Sequence, residues 1–390
     1  MATGIAAAAD SGGYRGPNHD GIHPETGLLK TWPAGGPKLL WTFPPDPAKI
    51  MEGEEYPMLG KPGQRSDPSK LALCKDEPVG VGMGYSCVVT AGEAIYATGM
   101  HFDLGKKPTY ATCLGLDGSL KWKTKLDRGL TSGRFEGPRC TPVVDPSGLY
   151  FESGNGIIYA LNHRTGAKRW SVDTRTEFNN AIPGWGYNIS PLVDDKQVIV
   201  PMRRAKHLFV SLNKSTGKPL WTTTCPDTAI VDSSPVFARA GKTTLIACSF
   251  MQATVFIDAA DGKVVYKSPQ AGANSLTPVA HKEHLLLFAG GQLRLWKLKP
   301  DGAGVEEVWQ AGGVNALCQA VVLGERVFVV QGQALVSLDF KTGRRVANLA
   351  FSNDPRCCWN PSGWKRWRTR RRWASGSVHR VPRASGCCAS

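Results

Sequence analysis

Short apolar runs, each cut off by a turn, recur along most of the chain. Leu149-Tyr150-Phe151, Val198-Ile199-Val200, Leu285-Leu286-Leu287-Phe288 and Val327-Phe328-Val329-Val330 are of this kind. Runs of that length bounded by Gly, Asp and Asn read as strands with one or both faces buried. No stretch sustains the helical period that a βαβ crossover needs, so the pattern predicts an all-β fold. No stretch is apolar for long enough to cross a bilayer as a helix.

The runs sit in a repeat. A phrase built as small-apolar-Asn/Asp, then Thr-Gly, then an aromatic appears at Ala160-Leu161-Asn162 through Thr165-Gly166 to Trp170, and at Ser211-Leu212-Asn213 through Thr216-Gly217 to Trp221. It recurs from Asp258 to Tyr266 and from Asp339 through Thr342-Gly343 to Ala347, where the aromatic is lost; a shorter copy ends at Trp122 and a blurred one at Trp309. A second phrase, a small polar residue followed by Pro and two apolar residues, precedes each copy. It reads Thr141-Pro142-Val143-Val144, Ser190-Pro191-Leu192-Val193, Ser234-Pro235-Val236-Phe237 and Thr277-Pro278-Val279-Ala280, with prolines 49, 44 and 43 residues apart. Ser86-Cys87-Val88-Val89 and Gln319-Ala320-Val321-Val322 are degenerate copies. That period is the length of a four-stranded propeller blade, and the chain reads as a β-propeller of seven or eight blades whose closing blade is incomplete.

Each phrase has a structural job. The Asn/Asp side chain and the Gly of Thr-Gly suit a tight hairpin turn, Gly taking the positive φ. The aromatic four residues later is expected to lie between blades, so Trp122, Trp170, Trp221, Tyr266 and Trp309 are assigned to architecture rather than chemistry.

These phrases resemble the blades of the pyrroloquinoline-quinone-binding-like propeller family, which also includes the outer-membrane-assembly propeller lipoproteins. The opening Arg15-Gly16-Pro17-Asn18-His19-Asp20-Gly21-Ile22, the run Gly35-Gly36-Pro37-Lys38-Leu39-Leu40-Trp41 and Gly82-Met83-Gly84-Tyr85-Ser86 resemble the same family, over about residues 14–350. The resemblance implies a periplasmic or secreted protein. Its quinoprotein alcohol dehydrogenases hold calcium beside the quinone with Glu and Asn, use an Asp base, and stack the cofactor between a Trp and a vicinal disulfide. That set has no residue-by-residue match here, because the adjacent cysteines fall in the tail and no Asp stretch matches the catalytic loop. Blade shape alone does not bring the chemistry with it.

The ends and one insertion depart from the repeat. Residues 1–13 form a leader or frayed segment: Met1–Asp10 is small and apolar but has no basic n-region, so a signal-peptide remnant and a simple terminus both fit. Residues 14–350 form the propeller, with a long Pro-rich insertion at 42–80. Leu39-Leu40-Trp41 reads as a strand donated to the closing blade, whose other strands are expected near residue 351. Residues 351–390 instead interleave Trp with Arg, without strand or helix period. They read as an out-of-frame translation, with a native protein continuing for another blade or two; a single-strand nucleic-acid tail is the competing reading.

Charge follows this division. The net charge is +15, and residues 351–390 supply nine Lys/Arg against one acid. The remaining excess is modest and unstriped, so nucleic acid is not an expected partner. The chain has 11 cysteines. They show no metal-ligand spacing, and the scattered ones suit small buried hydrophobes.

Other motifs fall away on inspection. Gly241-Lys242-Thr243 lacks the first Gly of a phosphate loop. His281 and His284 have no third ligand nearby. One constellation is left. The residues just before each Pro phrase converge at the mouth of a propeller's channel, which places Arg139, Asn188, Asp232 and Ser275 there, with Trp185, Tyr187, Asn274 and Asn315 close in the chain. The reading is a monomeric, non-catalytic scaffold or binding module recognising a protein, a glycan or a small polar ligand at that mouth. It has no assigned metal or cofactor and no membrane span. The alternative is a dehydrogenase of alcohols or sugars dependent on pyrroloquinoline quinone and calcium.

Overall fold

The apolar runs become strands, and each strand pairs antiparallel with its sequence neighbours. The computed structural model describes residues 10–23, 31, 33, 36, 38–43, 80–101, 107–129, 137–184, 186–203, 207–225, 233–272, 276–314 and 318–350. The chain forms two compact units, Met1–Asn348, which holds nearly all of the fold described below, and Leu349–Ser390.

Among the described residues six four-stranded sheets follow one another, each a simple meander. Blade 1 is β1 (Val89–Ala91), β2 (Ala94–Met100), β3 (Pro108–Gly115) and β4 (Leu120–Arg128); blade 2 is β5 (Val143–Asp145), β6 (Gly148–Glu152), β7 (Ile157–Leu161) and β8 (Lys168–Asp173). Blade 3 is β9 (Leu192–Val193), β10 (Gln197–Pro201), β11 (Phe209–Asn213) and β12 (Pro219–Thr223); blade 4 is β13 (Val236–Ala240), β14 (Thr243–Ser249), β15 (Thr254–Asp258) and β16 (Val264–Lys267). Blade 5 is β17 (Val279–His281), β18 (His284–Ala289), β19 (Gln292–Leu298) and β20 (Val305–Ala311); blade 6 is β21 (Val321–Leu323), β22 (Arg326–Gln331), β23 (Ala334–Asp339) and β24 (Arg345–Ala350). One short helix, α1 (Thr174–Phe178), follows blade 2, with Asp173 as its N-cap. The fold is a β-propeller. First strands of neighbouring blades touch, as β1 with β5, β13 with β17 and β17 with β21, so these short strands gather about a common axis.

The Ser/Thr-Pro phrase turns out to be a belt around that axis. The backbone N–H of Cys87 donates to Thr141 Oγ1, that of Thr141 to Ser190 Oγ, that of Ser190 to Ser234 Oγ, and that of Ser234 to Thr277 Oγ1, each at 3.1 Å. Each hydroxyl therefore satisfies an N–H of the preceding blade that no sheet could reach, because first strands have one unpaired edge. The matching position in blade 6 is Gln319, whose side chain accepts instead from Arg15 at 3.2 Å.

The Thr-Gly phrase makes the turn and also a seat. Asn162 and Asn213 accept the N–H groups of Thr165 and Thr216 through their side chains, and Gly166 and Gly217 both take φ +73°. A Cβ on Gly166 would stand 2.6 Å from the Trp122 ring, and one on Gly217 would stand 2.9 Å from the Trp170 ring. Gly262 seats Trp221 and Gly343 seats Trp309 in the same way. The indole N–H groups of Trp122, Trp170 and Trp309 then donate to His163 O, Lys214 O and Phe340 O at 3.0, 3.0 and 2.7 Å. A register shift falls beside the aromatic in blades 1 to 5, as between Ala160 and Leu161 opposite Trp170. Such bulges turn a strand's side chains, here toward the next blade. Trp170 and Trp309 are buried, whereas Trp122, Trp221 and Tyr266 stay partly exposed. Tyr266 packs instead against Phe256, with ring centroids 5.8 Å apart.

The N-terminal segment lies along the axis. Ser11 N donates to Thr90 O at 3.0 Å and Thr90 N to Ser11 Oγ at 2.7 Å, while Gly12 O accepts from Val144 N at 2.7 Å. Arg15 reaches across to Ala320 O at 2.6 Å as well as to Gln319. Residues 10–21 thus cover inward edges in blades 1 and 2 and tie both to blade 6. Arg15 and His19 take φ +64° and +57°, an uncommon region for residues with a Cβ, held here by these bonds.

Six cysteines lie among the described residues and all are free thiols. Cys113, Cys140 and Cys248 are buried, as expected for small hydrophobes, whereas Cys87, at the start of the blade 1 phrase, is exposed. His281 and His284 pair across the β17–β18 turn and set their rings edge-on to Phe340 at 5.1 and 5.4 Å.

Candidate functional site

Buried side-chain atoms without a hydrogen-bond partner among the described residues occur in several blades, and two residues that carry them, Glu152 and Asn188, lie on blade 2 and in the approach to blade 3. β6 begins as the apolar run Gly148-Leu149-Tyr150-Phe151 and ends in Glu152, and all five residues are buried. Counted from the residue paired with each first strand, Pro201, Ser249, Phe288 and Val330 hold the corresponding positions of β10, β14, β18 and β22. A carboxyl thus occupies a place where all four of those blades carry a small or apolar residue.

Glu152 is 0% exposed, and neither carboxyl oxygen has a hydrogen-bond partner among the described residues. Burial pushes its pKa well above the ordinary carboxylate range, and the charge of Arg203 pulls it only partly back. Arg203 is itself 3% exposed and lies just after β10. Its backbone N–H donates to Asn180 Oδ1 at 2.8 Å. The Glu152 N–H donates to Cys140 Sγ at 3.3 Å, and burial pushes that thiol far above its usual range.

Tyr187 closes the interface. Its N–H donates to Gly154 O at 3.2 Å and its hydroxyl to Ala181 O at 2.7 Å, which ties the loop after α1 to blade 2. Gly156 must lack a Cβ here, since one would stand 2.5 Å from the Tyr187 ring. Burial and then the Glu152 charge raise the Tyr187 pKa far above normal, so its hydroxyl stays a donor. The next residue, Asn188, has a buried Oδ1 with no partner among the described residues.

A second raised acid lies one blade away. Asp127, on β4, accepts from Ser153 Oγ at 3.0 Å and Asn155 Nδ2 at 3.3 Å on one oxygen, while the other is buried without a partner among the described residues. Burial raises its pKa against those two bonds. Arg139 lies with its guanidinium carbon 4.9 Å from the centroid of the Tyr85 ring, in the approach to blade 2.

Of the eight residues placed at the mouth from sequence, the structure describes Arg139, Tyr187 and Asn188. Tyr187 lies close enough to Glu152 for that charge to act on its hydroxyl, with Asn188 next to it in the chain, whereas Arg139 packs against Tyr85. Asp232, Ser275, Trp185, Asn274 and Asn315 lie outside the described residues. Glu152 and Arg203 were not anticipated. The available signal was an acid ending an apolar strand immediately before a Ser-Gly turn.

The described donors do not make up the calcium-and-quinone set implied by the dehydrogenases. Among the described residues no three His, Cys, Asp or Glu side chains gather as a metal site. The cysteine pairs 357–358 and 387–388 lie outside the described residues.

Residues 110–346 match the family model PQQ_2, described as outer membrane protein assembly factor BamB. The chain belongs to this BamB-like propeller family. BamB from Moraxella catarrhalis is 16% identical, with a TM-score of 0.49 over 68% of this chain and 72% of that one. Quinohemoprotein alcohol dehydrogenase from Comamonas testosteroni is 11% identical, with a TM-score of 0.40 over 69% of this chain and 67% of that one. The C-terminal WD40 domain of Sif2 is also 11% identical, with a TM-score of 0.46 over 69% and 72% of the two chains. No curated protein matches the chain. The family match spans more than half of this BamB-like chain, and no helix among its described residues is long and apolar enough to cross a membrane.

Proposed function

We propose that this BamB-like propeller is a recognition module, acting outside the cytoplasm, that binds a hydroxyl- or amide-bearing ligand where blades 2 and 3 meet. The observation that carries this reading is that both Glu152 oxygens and Asn188 Oδ1 are buried with no hydrogen-bond partner among the described residues. A buried polar atom without a hydrogen bond costs about 1–3 kcal/mol, so native proteins keep such atoms where something else satisfies them. Glu152 held neutral is a donor as well as an acceptor, and Asn188 Oδ1 is an acceptor. A sugar hydroxyl or a peptide amide complements both. An ordered internal water would satisfy the same atoms, and experiment separates the two occupants.

The test is a screen of neutral oligosaccharides and short peptides against the full chain, read as ligand-dependent thermal stabilisation. Any stabilising ligand is expected to lose most of its effect in Glu152→Gln and in Asn188→Leu. Equal stabilisation of wild type and both variants by every ligand that binds would leave the site to water and overturn the reading.

A further inference from the structure

Two attachments hold Asn188 close to Glu152. Tyr187, just before Asn188, donates its N–H at 3.2 Å to the carbonyl of Gly154, two residues after Glu152. On the other side, Cys140 Sγ accepts from the Glu152 N–H at 3.3 Å, and the next residue, Thr141, donates its N–H to Ser190 Oγ at 3.1 Å. Ser190 lies two residues beyond Asn188. The short stretch that carries Asn188 is thus tied at one end to the turn after Glu152 and at the other to the segment on which the Glu152 N–H rests.

The open atoms of these two residues offer a definite set of bonds. A carboxyl that is 0% exposed, with no donor on either oxygen among the described residues, takes the neutral form. Glu152 then has one O–H to give and one carbonyl oxygen to accept with, and Asn188 Oδ1 is a second acceptor. The complement is a group with one acceptor and two donated hydrogens. A single hydroxyl has one hydrogen and satisfies two of the three atoms at most. A backbone amide also stops at two, because its trans geometry turns its one N–H away from its own carbonyl. A diol has the two hydrogens but carries twice the lone pairs of an amide, and one open donor leaves most of them bare. A primary carboxamide satisfies all three. Its carbonyl accepts the Glu152 O–H, the N–H on the carbonyl side returns to the Glu152 carbonyl, and the other N–H goes to Asn188 Oδ1.

On the ligand-binding reading above, we propose that the group recognised by Glu152 and Asn188 is a primary carboxamide, the group that ends an Asn or Gln side chain. Selectivity follows from the pairing. One methyl on the amide nitrogen occupies the position of the N–H that returns to Glu152, since the secondary amide is trans.

The test titrates the full chain with acetyl-Gln-N-methylamide and two analogues altered only at the end of the side chain, one with a mono-N-methylated carboxamide and one with a hydroxyl, read by calorimetry. The carboxamide is expected to bind one-to-one and at least about tenfold more tightly than either analogue. Asn188→Leu and Glu152→Met are each expected to weaken it by about tenfold or more. The comparison of analogues uses the wild-type chain, so it stands if a variant fails to fold. Equal binding of all three probes, or a carboxamide preference unchanged in both variants, overturns the proposal. Tighter binding of the hydroxyl analogue that both variants weaken overturns it too, yet leaves the ligand-binding reading intact. If no probe binds and no oligosaccharide or peptide stabilises the chain, both fall together.

Discussion

Trp170→Ala is expected to lower the unfolding free energy by about 3–5 kcal/mol, the usual cost of truncating a buried aromatic. Trp170 joins blades 2 and 3 in three ways. Its ring fills a cluster with Tyr150, Ile158, Val198, Val200 and Leu212. It rests on Gly217, where a Cβ would stand 2.9 Å from it, and its N–H donates to Lys214 O at 3.0 Å. Removing it leaves a cavity and takes away the donor to the Lys214 carbonyl. In a repeat fold the loss falls on one interface, so the transition is also expected to broaden as blades uncouple. Urea denaturation followed by intrinsic fluorescence and by circular dichroism checks this. A shift below about 1 kcal/mol would mean that the indole is not what holds the two blades together. Trp122→Ala is the internal comparison, expected to cost less because its ring is partly exposed.

Glu152→Gln is expected to stabilise the protein at neutral pH and to lose that advantage in acid. The direction follows from the raised pKa. A carboxyl that holds its proton more tightly when folded is harmless below its unfolded pKa of about 4.3 and destabilises the fold as pH rises toward the folded value. Burial is the cause of the rise, with Arg203 only partly opposing it. Gln keeps the shape and cannot ionise. The stability difference between variant and wild type should therefore grow by up to about 1.4 kcal/mol per pH unit above pH ~4.3, then level off at the folded pKa. Urea midpoints taken from pH 4 to pH 8 read this directly. A difference independent of pH would show that Glu152 stays ionised in the fold, paired closely with Arg203. Asp127 is raised in the same direction by burial, so wild-type stability contains both contributions and only the variant isolates one.

The propeller was legible because its two repeated phrases are each forced by geometry. Thr-Gly must supply a positive φ and an empty seat for an indole, and few other residues do both. Ser/Thr-Pro must supply a hydroxyl at the belt and an edge strand that needs no N–H at that point. The blade period and the aromatic positions follow from these. What the hydroxyl does was not legible, since Thr141 and Ser190 meet across 49 residues and only the closed ring brings them within 3.1 Å.

The site was less legible. Tyr187 and Asn188 were singled out because they precede a Pro phrase, whose position repeats from blade to blade. Glu152 was passed over because the run Leu149-Tyr150-Phe151 looks finished before it, and a strand pattern does not reveal that both faces of β6 are covered to its last residue. Arg203 follows a strand in a short polar stretch that reads as a surface turn, yet it is 3% exposed. The axis, pictured from sequence as a polar funnel, is partly filled by residues 10–21, because first-strand edges such as Val144 N need partners that only another backbone or a hydroxyl can give. The candidate site rests instead on Glu152 and Asn188, at one of several places where buried polar atoms have no partner among the described residues.

The central claim is that this member of the BamB-like family recognises a ligand and does not oxidise one. It is tested most directly by titrating the full chain with pyrroloquinoline quinone, with and without calcium, while following tryptophan fluorescence and dye-linked alcohol oxidation. The account predicts no calcium-dependent saturation and no turnover by folded protein. Saturable, calcium-dependent binding accompanied by turnover that Glu152→Gln abolishes would contradict it and make the blade 2–3 interface an active site.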